Sequence, residues 1–83
     1  MAVVSILYSN SLDKYYVGST KDIFDRLQRH NRGTEKFTST GIPWLLKYTE
    51  EFEEIANARR RESKIKKKKS RKYLELLIQK SVE

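Results

Sequence analysis

The sequence predicts an α+β fold, a three-stranded antiparallel sheet flanked by about three helices in the order ββα-βαα. Three observations carry this. Two β-rich runs, 3–8 and 14–19, flank the turn-forming stretch Ser9-Asn10-Ser11-Leu12-Asp13. A third run, Trp44-Leu45-Leu46-Lys47-Tyr48-Thr49, follows Pro43. Segments of helical period come after the second and third runs. A chain of 83 residues predicts a single domain, 1–83, with a modest core.

The first strand rests on Val3, Val4, Ile6, Leu7 and Tyr8, interrupted only by Ser5. It pairs as a hairpin with Tyr15-Tyr16-Val17-Gly18-Ser19. Gly18 removes a side chain where another group must approach the backbone closely. A helix follows from about 21 to 32, with Ser19 or Thr20 as its cap, Asp22 in its first turn and Gly33 as its stop. At about 100° per residue, Ile23, Leu27 and His30 share one face, and Arg26 lies beside them. A guanidinium turned towards an apolar face needs an anion, either a carboxylate of the chain or a phosphate.

The stretch 33–43 has glycines near both ends and hydroxyls within, and reads as a surface loop. Its Thr, Ser and Lys side chains suit phosphate contacts but occur in many loops without a ligand. Trp44 reads as core, as a lid on the sheet edge, or as a base-stacking platform. The acids of 50–54 suit a helix N-terminus, and a helix is expected from about 53 to 68. Its stripe of Ile55, Ala58 and Ile65 has Glu62 in the middle, about 20° from Ile55 and 60° from Ile65 on the wheel. A carboxylate there requires a salt bridge, for which Arg26 is the candidate, or a metal ion. Lys66 to Lys69 repel one another and end the helix; Ser70 caps the next, whose apolar face is Tyr73, Leu74, Leu77 and Ile78.

The formal charge of +7 is unevenly spread. Residues 1–55 hold seven Lys/Arg against eight Asp/Glu, a net of −1, and residues 56–83 hold eleven against three, a net of +8. A basic C-terminal third is either a solubilising face or the footprint of a polyanion, most often nucleic acid. Lys66, Lys67, Lys68, Lys69, Arg71 and Lys72 are the candidate DNA-binding residues. No run reaches the roughly 20 apolar residues of a membrane span. The absence of cysteine excludes disulfides, a cysteine nucleophile and cysteine–zinc sites. With no signal peptide visible, a cytoplasmic protein is expected.

Arg26, His30, Glu62 and Tyr16 are parts suited to phosphoryl chemistry. A carboxylate can hold a hard cation, an arginine can neutralise charge growing on a phosphate, and a tyrosine or histidine can manage the proton of an attacking water. The pattern Val3-Val4-Ser5-Ile6-Leu7-Tyr8, Tyr16-Val17-Gly18, Arg26, His30, Pro43-Trp44, Ala58-Arg59-Arg60-Arg61-Glu62 and Lys69-Ser70-Arg71 resembles the GIY-YIG nuclease domain. It is most similar to the small stand-alone bacterial members related to the nuclease domain of the excinuclease C subunit. The resemblance implies metal-dependent hydrolysis of DNA phosphodiesters, with one Mg²⁺ or Mn²⁺ on Glu62. It implies Tyr16 as base or water positioner, Arg26 as the phosphate ligand, His30 as an assisting group and Gly18 as the glycine beside the site. The chain departs from the pattern at Ser5, where a tyrosine belongs, and has no asparagine after Asn57. These departures motivate an alternative, a catalytically impaired module of the same fold that binds nucleic acid. DNA is the expected partner in either case, with a homodimer or a partner protein as further possibilities.

Overall fold

A computed structural model describes residues 1–32 and 41–81. The expected stop at Gly33 and most of the expected loop lie outside the described residues. Strands β1 (Ala2–Ser9) and β2 (Lys14–Thr20) form the hairpin, in register from Val3 opposite Thr20 to Ser9 opposite Lys14. Asp13 closes its turn in the left-handed region, φ 51°. Strand β3 (Trp44–Phe52) pairs with β1 on its other side, so the sheet order is β2-β1-β3, antiparallel throughout. The near-continuous apolar run of β1 suits its central place, where both faces are covered.

One face carries the main core. Val4, Ile6 and Val17 meet Ala58 and Ile65 of α2 (Ile55–Lys68), and Tyr73, Leu74, Leu77 and Ile78 of α3 (Arg71–Ser81) close around them. The stripe expected for α2 is thus the buried one. As expected, the lysine run ends α2 at Lys68; Lys69 turns left-handed at φ 46°. Ser70 then caps α3, its Oγ accepting the Tyr73 N–H at 3.1 Å.

Helix α1 (Ile23–Asn31) lies on the opposite face. Its cap is Asp22, not Ser19 or Thr20: Asp22 Oδ1 accepts the Asp25 N–H at 3.0 Å. The chain stays extended through Thr20 because Thr20 still pairs with Val3. At the far end, the Asn31 side chain takes the Trp44 N–H on Oδ1 at 2.6 Å and donates from Nδ2 to the Trp44 carbonyl at 3.2 Å. One amide thereby fixes the start of β3 to the end of α1.

Strand β3 runs three residues beyond its expected end and takes in Glu50 and Glu51; of the acids of 50–54, only Glu53 and Glu54 stand at the helix start, Glu54 as its N-cap residue. Glu50, Glu51 and Phe52 pair with Val4, Val3 and Ala2, and α2 starts at Ile55. Glu50 is tolerated against the sheet because Arg61 grips it with Nε at 3.0 Å and Nη2 at 3.1 Å, and the Tyr48 hydroxyl also donates to it. Burial pushes the Glu50 carboxyl up, but Arg61 and Tyr48 outweigh it and hold the group below the ordinary carboxylate range. Burial and then Glu50 push the Tyr48 phenol up to about 12.

A bulge interrupts β3 at the Ile6/Leu7 step: Ile6 faces Tyr48, but Leu7 faces Leu46. The extra residue, Lys47, inverts the alternation, so Trp44 sits opposite Ser9 on the face of Leu7 and Tyr16.

Two outcomes test this account. Asn31→Ala removes both bonds to Trp44 and should lower stability by about 1–3 kcal/mol in urea unfolding. The depressed Glu50 group contributes stability that is fully present above its ordinary pKa of 4.5 and lost as pH falls through the lower native value. The urea midpoint should therefore drop on acidification through this range, and drop less in Arg61→Met, where burial of Glu50 is opposed by Tyr48 alone.

Candidate active site

Four of the sequence-derived residues converge at β2, from both faces of the sheet. Tyr16 and Gly18 share the face of α1. There Arg26 Nη2 donates to the Tyr16 hydroxyl at 3.3 Å. The guanidinium lies over Gly18, where an added Cβ would stand 3.5 Å from Nη2 and 3.4 Å from Tyr16 Cε1. These are ordinary contact distances, so a methyl would fit beneath the guanidinium and only a larger side chain would displace it. His30 is fully buried. Its ring meets the Tyr16 ring edge-on, centroids 5.0 Å apart, and Trp44 stands 6.1 Å from Tyr16 and 6.3 Å from His30. His30 and Trp44 therefore form a wall that fixes the phenol, and Trp44, only 4 % exposed, is core rather than a stacking platform.

Glu62 arrives from the other face, on α2. Ser19 precedes it to this spot by strand alternation, pointing opposite to Gly18, and Ser19 Oγ donates to Glu62 Oε1 at 2.5 Å. Lys66 Nζ donates to Oε2 at 2.6 Å. The ion pair of Glu62 is thus with Lys66 and not with Arg26, which is bound to Tyr16. Burial raises the Glu62 carboxyl, but the bonds from Lys66 and Ser19, followed by the charges of Lys66 and Arg26, outweigh it and hold it below the ordinary range. The carboxylate is therefore ionised at neutral pH and feels the guanidinium across the edge strand.

Ser19 was legible only as a helix cap, and Asn31 only as a residue near a helix end. The signal for Ser19 was available in its parity with respect to Gly18, since adjacent strand residues serve opposite faces. Ser5, at the departure from the family pattern, is 2 % exposed and pairs with Gly18. Two small residues thus lie side by side on the strand face beneath Arg26.

The basic residues divide. Lys66 is paired with Glu62, and Lys68 stands over the Tyr73 ring at 5.5 Å. Arg71 grips the hairpin turn, donating to the Asp13 carbonyl at 2.9 Å and to Asp13 Oδ1 at 2.6 Å, while Tyr8 donates to the same oxygen. Lys67, Lys69 and Lys72 are exposed. A cleft of about 430 Å³ between β2 and the α2–α3 junction is lined by Lys14, Tyr16, Lys66, Lys69 and Arg71, so cations surround the strand that carries Tyr16.

Among the described residues no group of three His, Cys, Asp or Glu converges as a metal site. Glu62 stands as a lone carboxylate. A hard oxygen donor of this kind fits Mg²⁺ or Mn²⁺, which keep several waters and take substrate phosphate oxygens as further ligands. No helix among the described residues is long and apolar enough to cross a membrane.

β2 thus carries a tyrosine bonded to an arginine on one face, with an ionised glutamate bonded to Ser19 on the other. The GIY-YIG catalytic domain matches residues 1–74, and the chain belongs to the GIY-YIG family, a nuclease-type family that acts on nucleic acid. Over 53 residues it is 42% identical to a UPF0213 protein of Halobacterium salinarum, covering 63% of this chain and 69% of that one. A UPF0213 protein of Staphylococcus aureus is 38% identical over 63 residues, 75% of this chain and 77% of its own. No solved structure matches the chain significantly.

Because a methyl at Gly18 meets only ordinary contacts, Gly18→Ala should fold with no loss of stability, and its melting temperature should rise by a few degrees as the unfolded chain loses backbone freedom. Gly18→Val should push the guanidinium off Tyr16, detected as loss of the Arg26 side-chain nuclear Overhauser contacts to the Tyr16 ring in NMR.

Proposed function

We propose that this protein is a divalent-metal-dependent endonuclease that hydrolyses DNA phosphodiester bonds. The observation that supports this best is the convergence at β2 of the Tyr16–Arg26 pair and the ionised Glu62. In this reading Arg26 binds the scissile phosphate and offsets the charge that grows on it. Tyr16, whose oxygen is held by Arg26, orients the attacking water and takes part in its proton transfer. His30 is a positioning residue: its ring is buried and braces the phenol. Glu62 holds Mg²⁺ or Mn²⁺, which when bound supplies Lewis-acid stabilisation of the phosphate and leaving oxygen. Lys66, Lys69 and Arg71 at the cleft, with Lys67, Lys68 and Lys72 on the surface outside it, contact the DNA backbone.

A second reading has its own observation. Ser5 puts a small buried side chain where the family pattern carries a tyrosine. In this reading the protein binds DNA through the same surface without turnover.

The deciding experiment mixes the protein with labelled branched, single-stranded and duplex DNA and Mg²⁺ or Mn²⁺, beside Glu62→Gln. The expected result is cutting by the wild type, a loss of about 10²-fold or more in Glu62→Gln, and retained DNA binding by both. Cutting that survives Glu62→Gln removes Glu62 from the metal site. Binding without cutting in either metal selects the second reading.

A further inference from the structure

The chain neutralises two carboxylates that approach the sheet from opposite constraints. Glu50 is held by the rigid two-pronged fork of Arg61, with both side chains largely covered, at 27 and 22 % exposure, and by Tyr48. That pair is built to stay. Glu62 is equally covered, at 21 %, but its charged partner is the flexible, 53 % exposed Lys66 one helical turn away. A lysine offers a point charge on a mobile stem, and an exposed pair spaced four residues apart on a helix costs little to open. The neutral partner, Ser19, holds the other oxygen from β2 and keeps the carboxylate aimed while its charged partner changes.

We propose that Lys66 is the resident counter-cation of Glu62, and that a divalent cation reaches the carboxylate by displacing it. This rests on the reading of Glu62 as the metal ligand. The ammonium occupies Oε2 at 2.6 Å, and a small divalent ion needs direct contact with that carboxylate. Both cannot use the same approach to the same oxygen. Once released, Lys66 still lines the cleft with Lys14 and Lys69, where a phosphate is its natural next partner. The exchange keeps Glu62 neutralised before metal arrives and adds a cation to the phosphate-binding surface when it does.

The test uses the full chain and Mn²⁺ alone, with no DNA and no activity readout. Paramagnetic broadening of amide signals around residues 19 and 62 reports ion binding at Glu62. Lys66→Met, and Lys66→Gln as a polar second variant, should reach half-broadening at about two- to fivefold lower Mn²⁺ than the wild type, the size of an exposed ion pair. Lys67→Met removes the same charge one residue along and should follow the wild type. If Lys66→Met matches the wild type, or Lys67→Met shifts as far, the exchange is overturned while the metal reading stands. Glu62→Gln separates the two: broadening there that persists without the carboxylate, or no broadening in any variant, overturns the metal reading and the exchange with it.

Discussion

Central burial of β1 is the constraint to which the remaining elements answer. A strand with neighbours on both edges and helices on both faces has no solvent side on which to place polar groups. Its register therefore fixes which residues of β2 and β3 face α1 and which face α2 and α3. Tyr16 and Gly18 go to one face and Val17 and Ser19 to the other through their pairing with β1 alone. The bulge corrects β3 against this frame. Were Lys47 paired regularly instead of bulged, Trp44 would share the face of Tyr48, and His30 would lose its contact with Trp44.

The residues that carry chemistry also close the fold on the α1 side, where the apolar stock is thin. Helix α1 buries only His30 fully and leaves Phe24 75 % exposed. Its attachment comes from the Asn31 bracket, the His30 contacts with Tyr16 and Trp44, and the Arg26–Tyr16 bond. Stability and site geometry are therefore hard to vary separately on this face. On the opposite face the aliphatic core does the packing, and Glu62, bonded to Ser19 and Lys66, is not needed for it.

Strand and helix order, the hairpin, the α2 stripe, the break at the lysine run and the Ser70 cap were all legible, because each is set by local period or turn chemistry. The convergence of Tyr16, Arg26, His30 and Glu62 was legible through the polar residues that interrupt apolar faces. Three features were hidden. The end of β3 depended on Arg61, eleven residues beyond Glu50, offsetting an acid that by composition belongs to a helix start. The bulge depended on a register that exists only once β1 has two partners. The partner of Glu62 followed from the distance between faces: Arg26 was the expected partner, and only the fold shows that Arg26 is bound to Tyr16 while Lys66, one turn along α2, takes the carboxylate.

The Arg71 clamp on the hairpin turn bears on how this surface counts its charges. Arg71 and Lys66 already have anionic partners within the chain, at Asp13 and Glu62. When such a cation moves to a phosphate, it exchanges one anion for another, and fewer condensed ions leave the nucleic acid per positive charge supplied. Of the six basic residues at the α2–α3 junction, only Lys67, Lys68, Lys69 and Lys72 would release counterions in full on a duplex, at about 0.9 per phosphate neutralised. The surface is thus electrically smaller than its sequence, and its grip on a polyanion would fade more gently with salt than a run of six cations implies.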